Sequence, residues 1–421
     1  MPNQWCYMDM RELKGLELAA RSKIVFADGV WSVPSQSGNG KYQVNLTPGA
    51  TTCTCDDYSL RRESCKHIIA ARLVQERDYG GVPPKIDTDT IPKRPTYPQN
   101  WPAYNRAQST EKHRLQVLLA DLCAGLPEPE REGCGRKPIA VADQVFACAF
   151  KVYSTVSTRR FACDLKDAHE RGYLSRPLHH NKVNCFLCDL ALTPILRQLV
   201  VGSALPLRTV ETEFAVDSSG FSTSKFVRWF DEKYGIERSG HDWVKVHIAT
   251  GVRTNVTTAV IIEDRDAADC PQFKPLMSTT GENFTVKEAS ADKAYLSVEN
   301  VEAIAAMGGT AFIAPKTSTT GGAGGLFERM FHFYQFQREE FLKHYHKRSN
   351  VESTFSAVKR KFGNSVRSRN PVAMVNEVLC KFLCNNLCCV ILSQIELGIE
   401  ATFWNDKPAS EPPTVLPFVP R

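Results

Sequence analysis

The chain lacks an apolar export core at its start. Met1-Pro2-Asn3-Gln4-Trp5 is not the opening of a secretory leader, so a reducing, cytoplasmic setting is expected. Long hydrophobic runs are also missing. The most apolar stretch, near Leu379 to Leu392, is interrupted by Lys381, Asn385 and Asn386 and reads as too short to cross a bilayer, so no membrane partner is expected. An excess of one charge is nearly absent. A net charge of +6 over 421 residues does not by itself indicate a nucleic-acid partner. Cysteine is not scarce, but 15 cysteines without a leader point to a reducing interior and not to a disulfide scaffold. The apolar fraction of 43% is ample for packed cores, and this length holds roughly two to four domains.

The cysteines that carry a pattern are at the front. Cys53, Cys55, Cys65 and His67 form Cys-x-Cys-x9-Cys-x-His. Three thiolates and one imidazole make the closed tetrahedral set of a structural Zn²⁺ site. The first pair suits a hairpin-like turn, and the second opens a helix from Cys65 to about Leu73. Trp31 to Gly38 and Tyr42-Gln43-Val44 fit short strands upstream. The pattern resembles a SWIM-type zinc finger, which folds only with its metal and binds DNA or protein; DNA is the favoured reading. Elsewhere Cys185-x2-Cys188, with His179 and His180 nearby, could make a second site. The plainer reading is an apolar helix face through Val183, Phe186, Leu187 and Leu190. Cys380, Cys384 and Cys388 recur on one side of an apolar helix as small core residues.

Near the C-terminal end, Tyr345, Arg348, Glu352 and Lys359 are spaced +3, +4 and +7. On one α-helix they fall within an arc of about 60°. Val351, Phe355, Val358 and Phe362 form an apolar stripe beside them. One side of the helix can therefore face a core while the next presents a carboxylate among cations and a phenol. A carboxylate that binds a divalent metal beside phosphates needs such neighbours. From Lys343 to Arg369 the basic residues are Lys343, Lys347, Arg348, Lys359, Arg360, Lys361, Arg367 and Arg369, against the single acid Glu352.

Two further acids complete a set. Glu213 to Gly220 reads as a short strand ending at Asp217, with a turn at Ser-Ser-Gly. Trp243–Ala249 and Thr257–Ile262 read as strands joined by a hairpin at Gly251–Asn255. A helix around Pro271–Met277 follows, then a strand from Phe284 ending at Asp292, then a strand at Thr310–Pro315 and the glycine-rich 319–325. The order is that of an RNase H-like α/β domain with a mixed sheet. Asp217, Asp292 and Glu352 then converge at one end of the sheet, and three carboxylates are the minimum for holding two Mg²⁺ (or Mn²⁺) ions.

The stretch from about Lys137 to Leu397 resembles the DDE transposases of bacterial and archaeal insertion sequences. The resemblance rests on Ala215-Val216-Asp217-Ser218-Ser219-Gly220, Ala291-Asp292-Lys293-Ala294-Tyr295 and the Tyr-x2-Arg-x3-Glu-x6-Lys array from Tyr345 to Lys359. It implies a metal-dependent enzyme that cuts element ends and joins them to target DNA. It further implies that Asp217, Asp292 and Glu352 are metal ligands, and that Tyr345, Arg348 and Lys359 contact DNA around the cut. Some relatives carry a large β-rich insertion before the Glu; the 60 residues from Asp292 to Glu352 leave no room for one, so a hairpin excision step is open. Work on two ends implies at least a dimer on double-stranded DNA, associated with a prokaryotic nucleoid. Two rival readings remain: a domesticated, non-catalytic DNA-binding protein derived from a transposase, and a stand-alone RNase H-like nuclease.

The expected organisation is a zinc module at 1–80, an extended Pro-rich linker at 81–112, a helical, end-DNA-binding region at 113–205, the catalytic domain at 206–375, and a helix with a disordered Pro-rich tail at 376–421. Within the helical region, a first helix is expected at His113–Leu126, ahead of a charged break at Glu128–Gly133. Arg159-Arg160-Phe161 and His169-Glu170-Arg171 are exposed candidates for DNA contact, through a helix-turn-helix or a plain helical scaffold.

Overall fold

The computed structural model describes residues 10–36, 40–81, 100–128, 138–223, 243–316, 319 and 323–404. The Pro-rich 83–98, the charged 129–133, part of the glycine-rich 319–325 and the tail after Trp404 lie outside the described residues. The chain divides into two compact units, 1–98 and 99–421.

In the first unit, helix α1 (Met10–Arg21) precedes a four-stranded antiparallel sheet: β1 (Val25–Ala27), β2 (Val30–Pro34), β3 (Lys41–Asn45) and β4 (Thr52–Cys53). Two helices follow, α2 (Asp56–Arg61) and α3 (Lys66–Tyr79). Alternation along β2 buries Trp31 and Val33, which meet Val44, Leu18, Ile68 and Val74 in one small core. That core is slight for a free-standing module, so a metal staple is physically apt.

The second unit opens with α4 (Trp101–Ala124). The expected linker is therefore helical from Trp101 onward. Asn100 caps this helix by accepting from the Ala103 N–H at 3.2 Å, and Pro102 sits in the first turn, where no intrahelical donor is needed. Helices α5 (Val141–Ser154), α6 (Phe161–Glu170), α7 (His180–Leu187) and α8 (Leu192–Ala204) follow. Phe161, expected to be exposed, is fully buried, while Arg159 and Arg160 are exposed. Leu190, expected on an apolar face with Val183, Phe186 and Leu187, is 68% exposed, because α7 stops at Leu187 and the chain turns away.

The sheet of this unit contains β5 (Glu213–Ser222), β6 (Trp243–Gly251), β7 (Thr257–Glu263), β8 (Glu288–Ala291) and β9 (Thr310–Ile313), in the order β7-β6-β5-β8-β9. The pairs β5–β8 and β8–β9 are parallel, and β5–β6 and β6–β7 antiparallel. Counted along the sequence, the order is 3-2-1-4-5, and the sheet is mixed, as expected. Helix α9 (Cys270–Asn283) joins β7 to β8, and α10 (Val298–Ala306) makes the crossover from β8 to β9. Then come α11 (Gly325–Phe336), α12 (Arg338–Tyr345), α13 (Ser349–Phe362) and α14 (Pro371–Leu397).

Strand β5 does not end at Asp217. It continues to Ser222 because β6 pairs with it along its whole second half, from Asp217↔Ile248 to Ser222↔Trp243. The Ser-Ser-Gly run serves packing, not a turn: a Cβ on Gly220 would sit 2.8 Å from the Trp243 ring. What ends beside Asp217 is β8, whose last pair is Val216↔Ala291. Strand β8 is also shorter than expected, since Phe284 and Val286 are buried without ladder partners.

One hydrophobic core spans this unit, from Ala107 and Phe146 through Val216 and Ile248 to Phe382 and Phe403. The helices before the sheet thus share its core and are not a module apart from it. Helix α14 packs against α4, α5 and α8, and the boundary expected at 375/376 falls inside it. At 27 residues it is long and apolar enough to span a bilayer, contrary to the expectation from Leu379–Leu392. It is largely buried in protein, and its polar groups have protein partners: Asn386 donates to the carbonyls of Val200 (3.0 Å) and Thr257 (2.7 Å). Cys380 and Cys384 are buried core residues, and Cys388 is half-buried.

Candidate functional site

Asp217 stands on β5 where its parallel neighbour ends, and Asp292 is the first residue past that neighbour. Asp292 therefore leaves the sheet at the carboxyl end of β8, and Asp217, in the middle of β5, stands beside that same end, where ligands bind in open α/β sheets. Glu352 comes from the first turn of α13, which lies against β5. The apolar stripe expected on that helix is buried as Val351, Phe355, Val358 and Phe362, and this burial sets which way Glu352 faces. The four polar residues do not share a single α-helix. Tyr345 ends α12, His346–Arg348 form a 3₁₀ turn, and Glu352 and Lys359 lie on α13.

Arg348 joins two of the acids. Its guanidinium is 3.4 Å from Asp217 Oδ2 and 3.1 Å from Glu352 Oε1. Burial pushes the Asp217 carboxyl up, and the charges of Asp292 and Glu352 push in the same direction. The Ser218 N–H, which donates to Oδ1 at 2.8 Å, and Arg348 oppose that rise. Arg348 in turn lies 5.9 Å from the centre of the Tyr345 ring. Lys359 reaches back from α13 to donate to Ser219 Oγ on β5 at 2.7 Å, and burial lowers its proton affinity. Asp217, Ser219, Glu352, Lys359 and Arg360 line an open cleft of about 600 Å³. Three carboxylates that repel one another, two of them bridged by a guanidinium, suit hard divalent cations. Their oxygens do not draw within 4.8 Å as one set; among the described residues only the N-terminal cluster does that.

The surroundings include residues that motif reading passed over. Ser218 Oγ donates to Asp269 at 3.1 Å, Lys245 pairs with Asp269 at 2.8 Å, and His247 Nδ1 lies 3.3 Å from the Tyr295 hydroxyl. This network ties the turn after Asp292 to the strand beside Asp217. A histidine inside the alternating apolar run of β6 was the available sequence signal. On the other flank Lys347 pairs with Glu288 (2.7 Å) and Glu213 (2.8 Å), and His344 with Glu288 (2.9 Å).

In the first unit, Cys53, Cys55, Cys65 and His67 are all buried and bring their ligand atoms within 4.8 Å of one another. His67 Nδ1 lies 3.9 Å from both Cys53 Sγ and Cys65 Sγ. That is near the edge of about 3.6 Å that zinc–ligand bond lengths give a tetrahedron. Cys55 and Cys65 cap α2 and α3, so helix starts deliver two of the thiols. The Cys65 thiol is pulled down to about 3, first by hydrogen bonding from Cys53, whose own thiol is pushed up. The cluster fits a zinc site. Cys185 and Cys188 are exposed and belong to no such cluster among the described residues.

Residues 208–387 match the family described as Transposase DDE domain, and residues 42–73 match the SWIM zinc finger. The chain carries a DDE transposase domain with an N-terminal SWIM zinc finger. That family implies DNA binding and the use of divalent metal ions. No curated protein and no solved structure matches the chain.

Proposed function

We propose that this protein is an insertion-sequence transposase of the Tyr-x2-Arg-x3-Glu-x6-Lys type. In this reading it cuts DNA at element ends and joins the freed strands to target DNA. The observation that carries the reading is that Asp217 and Glu352, from distant segments, line one cleft with Lys359 and are bridged by Arg348, while Asp292, one residue past the neighbouring strand, adds its charge to theirs. The three carboxylates would hold two Mg²⁺ or Mn²⁺ ions, which when bound supply an activated water and stabilise charge on a leaving 3′-oxygen.

The chain's own residues do the rest. Lys359, fixed by Ser219, places a cation on the cleft wall where a non-bridging phosphate oxygen can sit. Arg348, which bridges Asp217 and Glu352, would be free to hold the phosphate once those acids held metal. Tyr345, half-buried beside Arg348, offers a hydroxyl to the same strand. Water attacks the phosphodiester, leaving a 5′-phosphate and freeing the 3′-hydroxyl; that hydroxyl then attacks a target phosphodiester, forming the new P–O bond as the target's own P–O3′ bond breaks and its 3′-hydroxyl leaves. The zinc finger, stapled by Cys53, Cys55, Cys65 and His67, serves as a second contact to DNA. A dimer or larger assembly brings two ends together, in the cytoplasm where the nucleoid lies.

The test compares wild type with Asp292→Asn on labelled element-end DNA in Mg²⁺. Nicking by wild type, with loss of nicking and retention of binding in the variant, is the expected result. Normal nicking by Asp292→Asn refutes the assignment.

A further inference from the structure

Two more clefts meet around the C-terminal half of α13. One, of about 410 Å³, is lined by Lys112, Tyr153 and Arg160 from the helices before the sheet and by Lys361 from α13. The other, of about 520 Å³, lies between the loop at Thr155–Thr158 and the segment Arg367–Asn370. Thr155 and Val156 line both. Arg360, next to Lys361, lines the cleft of Asp217 and Glu352. The three clefts therefore follow one another around a single helix end.

The carboxylates in the two outer clefts already have partners. Glu111 takes Lys361 and the Tyr153 hydroxyl (2.9 Å), and Asp164 takes Lys112 (2.8 Å). Glu377 accepts from the N–H groups of Arg367 (3.0 Å) and Ser368 (2.9 Å). Arg160, Arg360 and Arg369 are exposed, and among the described residues none has a carboxylate within 4 Å. Cations from two distant parts of the sequence thus remain unmatched, one in each of the three clefts.

The walls are also preformed. Arg367 donates to the carbonyls of Thr155 and Val156, which fixes the width of the outermost cleft. Lys381, 1% exposed, donates to the carbonyls of Gly363 (3.0 Å) and Ser365 (2.8 Å) and pins the segment behind it. Walls fixed this way need little rearrangement when a ligand enters. Planar guanidinium forks spaced along a groove match successive phosphates of a nucleic-acid backbone and carry no base readout.

We propose that Arg160, Arg360 and Arg369 form a phosphate track that carries duplex DNA away from the three acids, across the Thr155–Val156 floor. The proposal rests on the transposase reading and adds a path and a mode: the helices before the sheet grip backbone, not sequence.

The test measures binding of the full zinc-loaded chain to a duplex of about 40 base pairs of arbitrary sequence, at about 50 to 200 mM KCl in Ca²⁺-free, Mg²⁺-free buffer. Removing one cation from a phosphate flattens the slope of log affinity against log salt by about 0.9. Arg160→Gln/Arg369→Gln is expected to flatten it by about 1.8, Arg160→Lys/Arg369→Lys to keep most of it, and Lys274→Gln on α9 to leave it unchanged. An unchanged slope in the double Gln variant overturns the track while leaving cleavage, and so the transposase reading, untouched. Equal flattening by Lys274→Gln also overturns it, since net charge alone would then explain the effect. No duplex binding by wild type overturns the track together with the reading beneath it.

Discussion

Removing Arg348 should tighten metal binding while lowering cleavage. The guanidinium lies 3.1 Å from Glu352 Oε1 and 3.4 Å from Asp217 Oδ2, so a dication moving in between those carboxylates must displace it or endure it. Unit charges at this range interact by about 1 kcal/mol in bulk water and about 4 kcal/mol at the effective dielectric of a protein surface. Glu352 is 55% exposed and belongs near the lower figure, while Asp217, at 21%, belongs above it. A net cost of about 1–3 kcal/mol corresponds to a factor of about 5 to 150 in affinity. Arg348→Gln should therefore bind Mn²⁺ at the three-acid site more tightly than wild type by that factor, read by calorimetry or electron paramagnetic resonance without DNA. Arg348→Lys, which keeps a cation, should change it little. Cleavage by Arg348→Gln should nonetheless fall, because in the proposed mechanism the guanidinium is also the group that holds a phosphate. Unchanged or weaker Mn²⁺ binding in Arg348→Gln would show that the bridge does not compete with metal, and the reasoning would be refuted.

Three further outcomes follow from other parts of the molecule. Chelation, or Cys65→Ser, should release one zinc ion per chain and unfold residues of the first unit alone, because structural zinc contributes about 10–16 kcal/mol to folding in such modules. Zinc release measured by a chromogenic chelator, with hydrogen exchange to locate the unfolding, checks it, and an intact first unit without zinc refutes it. Glu288 has its carboxyl held below the usual range: burial pushes it up, but hydrogen bonds from Lys347 and His344 prevail. A depressed carboxyl contributes stability above its unfolded-state value and loses it as pH falls through the folded one. Wild type should therefore lose stability below about pH 4.5 more steeply than Glu288→Gln, as thermal melts across that range will show. Gly251→Ala should destabilise the second unit by about 1–3 kcal/mol. Its Cβ would lie 2.4 Å from Cδ of Glu211, which is 1% exposed and cannot retreat from the Arg253 and Thr254 N–H groups it accepts from. A melting midpoint equal to wild type would contradict it.

What could be read from the sequence was local and periodic. The stripe Val351, Phe355, Val358 and Phe362 was legible because a 3.6-residue period needs no tertiary knowledge. The zinc cluster was legible because its ligand spacing is itself the signal. The length of β5 was not, because Ser218-Ser219-Gly220 carries turn chemistry locally and is held extended only by β6, more than twenty residues away. The start of α4 was hidden in a similar way: Pro102 reads as linker until Asn100 is seen to cap it. The contacts that organise the site, Arg348 to Asp217 and Lys359 to Ser219, cross 131 and 140 residues of sequence, and no local pattern reports them.

Helix α14 shows why the domain boundary was misplaced and what that means for the site. Read alone, Pro371–Leu397 is an apolar helix following the catalytic segment, and a cut before it looks natural. Its buried polar residues argue otherwise. Asn386 accepts from the Thr257 N–H at 2.8 Å and donates to the Thr257 carbonyl, which fastens the edge strand of the sheet. Glu377 and Lys381 fasten the segment 363–368, and that segment closes onto the end of β5 through Val366 N–H to the Ser222 carbonyl at 2.9 Å. Buried polar groups cost stability unless they are paired, so a core helix that carries this many is held to one register by their partners. The strand bearing Asp217 and the helix bearing Glu352 are thus tied at their far ends to the same helix. Truncating the chain before Pro371 should expose the core and loosen both acids together. The site is therefore a property of the whole second unit and cannot be cut down to the segment that contains its three carboxylates.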